Sequence, residues 1–283
     1  MTQPIAADLS DKTCVVTGAN TGIGKECARG LARLGARVVL ACRSAERGAA
    51  ALEELRADTG SDRLELRLLD LAEPASIARF AEDLGRDLER LDALINNAGL
   101  WMTERTTTAE GHETTFAVNV LGPFRLTGAL EPLLEASGAG RVVDVASKMA
   151  RGLDPDDLMF ERRPYSGTAA YAQSKQANRM LAWVRSERLA PRKVTVNALH
   201  PGVVATEIAR SAPGLLGLAA RGYFRIVGKT PAQGADTAVW LAASPEVEGV
   251  SGKWWGERRE RRCKFRVRNQ NLALWAKCES LGG

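Results

Sequence analysis

The chain of 283 residues predicts a single α/β domain, a doubly wound parallel sheet of about seven strands with helices on both faces. Three observations carry this expectation. Short apolar runs of strand length alternate with helix-length stretches along the chain. The first run ends in closely spaced glycines that open directly into a helix, as a parallel crossover requires. No internal repeat, low-complexity tract or Pro- or Ser-rich linker divides the sequence, so residues 1–283 read as one unit.

The elements follow in order. TCVVTGANTGIGKECARGLARLGARVVLACRS (13–44) reads as strand, glycine turn, helix and strand. Cys27, Leu31 and Leu34 form one helical stripe, and Gly35 stops that helix. AERGAAALEELRADTG leads into the strand LELRLLDL, and PASIARFAEDLGRDLERL leads into DALINNAG. A helix around Phe116 to Leu134 precedes the strand GRVVDVAS, the 171–190 helix feeds KVTVNALHPG, and VSGKWW supplies a seventh strand. In such sheets ligands sit beyond the carboxyl ends of the strands, which is where the polar clusters fall. The dinucleotide half is expected over roughly 11–145, and the catalytic and substrate half over roughly 146–283.

Composition excludes several classes. The net charge of +5 is local: residues 257–268, ERRERRCKFRVR, hold seven basic and two acidic side chains, and the rest of the chain has 32 of each. That argues against a nucleic-acid binder. Within the segment, Arg262, Lys264, Arg266 and Arg268 alternate with Cys263, Phe265 and Val267, a pattern suited to an extended strand with a solvated face. Five scattered cysteines without C-x-x-C spacing fit reduced thiols, and His112 and His200 alone do not suggest a metal site. No signal peptide or membrane-spanning apolar run is visible, so a soluble, cytoplasmic protein is expected.

Gly18, Gly22 and Gly24, spaced Gly-x-x-x-Gly-x-Gly between strand and helix, let backbone approach a pyrophosphate that the helix N-terminus stabilises. At the end of the second strand Ala41, Cys42, Arg43 and Ser44 offer no carboxylate for a ribose 2′-hydroxyl. Arg43 suits a 2′-phosphate instead, which predicts NADP(H). AAYAQSK (169–175) sets Tyr171 and Lys175 one turn apart on a helix face, which suits either an acid paired with the cation that lowers its pKa or two neighbours on a solvated surface.

TGANTGIG at 17–24, NNAG at 96–99, Asn119, Ser147, Tyr171-x-x-x-Lys175 and PG at 201–202 resemble the classical short-chain dehydrogenase/reductase family over essentially the whole chain. VVLACRS, AYAQSKQAN and ALHPGVVATE resemble its retinol-dehydrogenase-like branch. The resemblance implies a Rossmann fold and an NADP(H)-dependent oxidoreductase that interconverts a lipophilic carbonyl and its alcohol. It also implies roles. Tyr171 exchanges the proton of the substrate oxygen, and Lys175 lowers its pKa and holds the nicotinamide ribose. Ser147 bonds the substrate oxygen, and Asn119 holds a relaying water. Cofactor contacts are implied for Gly18, Asn20, Thr21, Gly22, Ile23, Gly24, Arg43, Asp70, Leu71, Asn97, Ala98, Gly99, Tyr171, Lys175, Pro201, Gly202, Val204 and Thr206. Asp70 is matched to the residue beside the adenine, with capping of the next helix as the alternative. Asn96 belongs to the supporting NNAG turn.

Two stretches are expected to form the substrate cleft. One is 148–170, between Ser147 and Tyr171. The other is 207–229, an arginine-studded apolar lid in which Leu215, Leu216, Leu218, Tyr223 and Phe224 face inward. A homodimer or homotetramer accords with the family. The other readings are a non-catalytic dinucleotide-binding regulator and an epimerase or enoyl reductase of the same fold.

Overall fold

The structure is a computed structural model that describes residues 3–204 and 228–282. Strand β1 (Thr13–Thr17) is followed by α1 (Gly22–Arg33), β2 (Arg37–Cys42), α2 (Ala45–Thr59), β3 (Leu64–Leu68), α3 (Pro74–Asp87) and β4 (Ala93–Asn96). A short α4 (Thr114–Phe116) runs through a π-helical turn (Ala117–Leu121) into α5 (Gly122–Ala136). Then come β5 (Arg141–Val145), α6 (Gly167–Leu189), β6 (Thr195–Leu199), α7 (Pro231–Ala243), β7 (Trp254–Gly256), β8 (Arg259–Arg261) and α8 (Arg268–Gly282).

The strands form one sheet in the order β3-β2-β1-β4-β5-β6-β7-β8. All neighbours are parallel except β7 and β8, which pair antiparallel with Trp255 opposite Glu260. The sheet therefore has eight strands among the described residues, one more than expected. The expected seventh strand lies slightly later, at Trp254–Gly256. The expected extended run at 262–268 is also corrected: the strand is Arg259–Arg261, and the chain leaves the sheet before Cys263. All three β8 residues are exposed, so no apolar periodicity marks the strand.

Strand alternation sorts side chains onto two faces. Cys14, Val16, Val38, Leu40, Ile95, Val143 and Leu199 pack under α1 and α7, where Cys27, Leu31 and Val239 meet them. Val15, Val39, Leu94, Val142 and Ala198 face α3, α5 and α6 through Phe80, Leu84, Leu126, Leu130 and Ala182. A third cluster joins α6 to α8 through Met180, Val184, Leu274, Trp275 and Cys278. Removing a buried leucine such as Leu94 from such a core costs about 2–5 kcal/mol. No helix of the described residues is long and apolar enough to cross a membrane.

Candidate active site

The carboxyl end of β1 turns at Gly18, whose φ is +65°, and α1 begins at Gly22 without a side-chain cap from Thr21. The first N–H groups of α1 are thus left for an outside acceptor. Gly24 admits no side chain, since a Cβ there would stand 2.3 Å from the Gly18 carbonyl oxygen and 2.4 Å from Asn97 Nδ2. The NNAG turn holds this loop from behind. Asn97 Nδ2 donates to the Thr17 carbonyl at 2.9 Å, and the Asn97 and Ala98 N–H groups both donate to Thr17 Oγ1 at 3.0 Å. Asn97 is thus placed as a buttress of the glycine turn. Asn96 is buried and donates to Thr127 Oγ1 (3.0 Å) and to an Asp144 carboxylate oxygen (2.8 Å).

At the end of β2 the Cys42 thiol lies beneath the glycine turn with the N–H groups of Ala19 and Asn20 beside it, and burial pushes it up to about 11. Arg43 is exposed, as is Arg47 on the first turn of α2, and neither forms an ion pair among the described residues. Ser44 Oγ caps α2 by accepting from the Arg47 N–H at 3.3 Å. Two cations thus flank the end of β2, with Glu46 between them on the first turn of α2, and the glycine turn beside them fits a nicotinamide dinucleotide. Asp70 lies two residues beyond β3, where its carboxylate accepts from the Ala72 N–H at 2.9 Å. It closes a local turn, while the cap position of α3 falls to Glu73. Leu71 is buried next to it against Gly122.

The catalytic candidates converge beyond β4 and β5. The π-helical turn carries Asn119 into full burial, where its Oδ1 accepts from the Leu100 N–H (2.8 Å) and its Nδ2 donates to the Leu100 carbonyl (2.9 Å) and Ser174 Oγ (3.0 Å). Single π turns inside α-helices recur at functional sites. Gly99 separates Asn119 from Lys175: a Cβ there would sit 3.3 Å from Asn119 Oδ1 and 3.4 Å from Lys175 Nζ. The bare glycine thus lets the Asn119 amide and the Lys175 ammonium approach the same point from two sides.

Lys175 is 3% exposed, and its Nζ donates to the Val145 carbonyl at 2.8 Å while standing 5.8 Å from the Tyr171 ring centroid. Burial lowers its pKa to about 8, with Asp144 on β5 working in the opposite direction. Tyr171 is buried as well. Its phenol is raised by that burial, and a hydrogen bond from the Ser147 hydroxyl works the other way. Ser147 Oγ also accepts from the Met149 N–H at 3.1 Å, which orients it at the end of β5. Pro201, Gly202 and Val204 follow β6, with Val204 bridged to Lys229. Thr206 and the expected lid residues 207–227, including Leu215, Leu216, Leu218, Tyr223 and Phe224, lie outside the described residues.

Two residues of the site escaped the sequence reading. Trp101 stacks on the Tyr171 ring, centroids 5.4 Å apart and planes 17° from parallel. Its backbone is fixed by close fit: a Cβ at Gly167, the first residue of α6, would fall 2.0 Å from the Met102 carbonyl oxygen. Tyr165 adds a clamp, donating to Met102 O (3.4 Å) and to buried Glu113 (3.0 Å). The available signal was an aromatic residue two positions after the NNAG turn. His200 was set aside as a metal ligand. It is buried at the end of β6, and burial with Lys148 nearby lowers it to about 4, so it is neutral at physiological pH. The 148–170 stretch is compact, its turn tied by Asp157, which accepts from the N–H groups of Glu161, Arg162 and Arg163.

The short-chain dehydrogenase family model matches residues 12–213. The chain belongs to that family. Within it, the chain is 38% identical to retinol dehydrogenase 13 of Mus musculus over 99% of its own length and 86% of the relative's. Identity to retinol dehydrogenase 12 of Mus musculus is 42%, covering 97% of the chain and 87% of the relative. Polyprenol dehydrogenase of Mus musculus is 41% identical over 99% of the chain and 86% of the relative. Among solved structures, a protein from Mycobacterium paratuberculosis superposes with a TM-score of 0.76 at 30% identity, covering 98% of this chain and 96% of that one. A short-chain dehydrogenase from Escherichia coli CFT073 in complex with NADPH gives a TM-score of 0.69 at 28% identity, covering 87% and 96%. The chain is thus a retinol-dehydrogenase-like member of the family, an oxidoreductase that uses a nicotinamide dinucleotide to interconvert alcohol and carbonyl.

Proposed function

We propose that this short-chain dehydrogenase is NADP(H)-dependent and acts on a lipophilic aldehyde, ketone or alcohol, with Tyr171 as its acid and base. The observation that carries the reading is the convergence of half-buried Ser147, just past β5, with the buried Tyr171 and Lys175 of α6, the Ser147 hydroxyl on the phenol. In the reducing direction Tyr171 donates its proton to the substrate oxygen as negative charge develops there, and Ser147 stabilises that charge with a second hydrogen bond. The bound cofactor supplies or accepts the hydride. Lys175 keeps a positive charge beside the buried phenol, where low-dielectric surroundings strengthen the attraction. Asn119 fixes the Leu100 backbone and approaches Lys175 at Gly99, the place for a water that resupplies the proton.

The exposed arginines Arg43 and Arg47, with a cysteine where a ribose-binding carboxylate would stand, support NADP(H). The NADPH bound to the Escherichia coli relative points the same way. Trp101 and the names of the retinol and polyprenol dehydrogenases support an apolar substrate.

The test is NADPH consumption across carbonyls from small aldehydes to medium-chain aldehydes, aromatic ketones and retinal, with Tyr171→Phe and Arg43→Ala in parallel. Turnover of the lipophilic members is expected to fall by a factor on the order of 10²–10⁴ in Tyr171→Phe, with NADPH affinity retained. Arg43→Ala is expected to cost NADPH about tenfold and to leave NADH affinity unchanged. Substantial activity in Tyr171→Phe would reject the acid/base assignment, and equal use of NADH by the wild type would reject the cofactor assignment.

A further inference from the structure

Among the described residues, the buried arginines other than Arg179 are paired with carboxylates. Arg29, 9% exposed, meets Glu26, Glu54 and Asp58, and Arg185, 5% exposed, meets Glu131 at 2.9 Å and the Phe124 carbonyl at 2.9 Å. Arg179, also 9% exposed, has no carboxylate partner among the described residues. Its guanidinium lies 3.7 Å from the Trp254 ring centroid and 4.6 Å from that of Phe265, and its one hydrogen bond goes to Cys263 Sγ at 3.4 Å. Sulfur is a weak acceptor. Stacking on a ring returns about 0.5–2 kcal/mol, whereas burying an unpaired charge costs several. The arginine is short of an anion.

The surroundings repeat the deficit. A cavity of about 20 Å³ opens beside Arg179, lined also by Trp183, Lys253, Trp254, Cys263 and Arg266. Arg179 Nε and Trp183 Nε1, both buried, have no acceptor among the described residues. Arg266 is exposed, rests 4.9 Å from the Trp183 ring centroid and forms no ion pair among the described residues. Lys253 pairs with Glu260 at 3.0 Å, a surface contact of the kind worth little and readily shared. No carboxylate lines the cavity. Its volume suits one water or one oxygen of a larger group, with the remainder of that group standing at the rim.

We infer that Arg179, Trp183, Lys253 and Arg266 form a binding site for a phosphate-like oxyanion, one oxygen entering the cavity and the others facing the two rim cations. The ligand is a tetrahedral phosphate, either free or carried as a phosphomonoester head group of an anionic lipid. Arg179 and Trp183 lie on the fourth and fifth turns of α6, beyond Lys175 on the same helix face. It is separate from the dinucleotide corner at Arg43 and is independent of the substrate proposed above.

The test uses the full chain saturated with NADPH, so that the nucleotide's own phosphate contacts are already made. Its melting temperature is followed against inorganic phosphate and against sodium chloride of matched ionic strength. A saturable rise in phosphate above that in chloride is expected. Trp183→Phe, which keeps an aromatic face for Arg266 but trims the indole to a phenyl and so removes the N–H, should weaken the response roughly tenfold or more, the loss of at least one charge-assisted hydrogen bond. Arg179→Met should abolish it. Arg262→Ala, exposed in the same basic segment but outside the cavity lining, should leave it intact. Flotation with phosphatidylcholine vesicles, with and without phosphatidic acid, separates the sources. Capture by the acidic vesicles that Arg179→Met loses assigns the head group, and a phosphate response without capture assigns the free anion. Equal responses to phosphate and chloride, or a phosphate response unchanged in Trp183→Phe and Arg179→Met, would overturn the site.

Discussion

One helix carries two buried cations a single turn apart, and it treats them in opposite ways. Lys175 is given a protein acceptor, the Val145 carbonyl, and a carboxylate within electrostatic reach, Asp144. Arg179 is given two aromatic faces and a sulfur. The difference teaches what each is for. A cation satisfied from within keeps its place while a substrate comes and goes. A cation left with unmet N–H groups gains most when something arrives from outside.

The largest effect expected from breaking this contrast comes from Lys175→Met. Turnover should fall by a factor on the order of 10²–10⁴, the usual worth of a proton-transfer assembly. Melting temperature should hold or rise, because burial holds the lysine's folded pKa at about 8, below its ordinary value of 10.5. With that sign, burial of the ammonium opposes folding below pH 8, and the penalty fades as pH rises from there towards the ordinary value. A variant that lost stability in proportion to activity would point to a packing role instead.

Asp144→Asn should act next in size, and through pH. In the reducing direction the ammonium is required, so kcat/KM should decline as pH rises through about 8. Asp144 opposes that loss, while Asn119 and Tyr171, which also face the lysine, bring no charge at neutral pH. Arg185 and Asn96 face Asp144 itself. Its amide should move the alkaline limb to lower pH and cost several-fold in turnover near pH 8, with Asp144→Glu restoring part of it. An unmoved limb would remove Asp144 from any part in holding the charge. The smallest effect belongs to Arg179→Met, where kcat should stay within about twofold of wild type because no step is assigned to it. A loss comparable to that of Lys175→Met would show that the two cations work as one.

Much of this was legible in the chain because periodicity and glycine spacing speak directly about backbone. The glycine turn, the parallel strands, the NNAG turn and the Tyr171/Lys175 pair all stand where the sequence put them. What stayed hidden depends on a missing or unexpected partner. No pattern announces that Arg179 lacks a carboxylate when Arg29 and Arg185 have theirs. The π turn at Asn119 comes from one additional residue per turn and leaves the apolar pattern of α4 and α5 nearly unchanged. Trp101 drew no expectation from the sequence, since it takes the fold around Gly167 to bring its ring onto Tyr171. β8 was misplaced because a strand exposed at every position carries no alternation to read.

That last strand has a use of its own. Arg259, Glu260 and Arg261 are the final rung of the sheet, three residues long and exposed at every position. Short, charged edges of this sort resist the addition of another chain's strand, because a newcomer would have to bury or strip those charges. The tryptophan-bearing β7 is thereby covered on its outer side. Without its charged neighbour it would present a tryptophan-bearing edge to other copies of the chain, and strand-to-strand aggregation would be the expected fate.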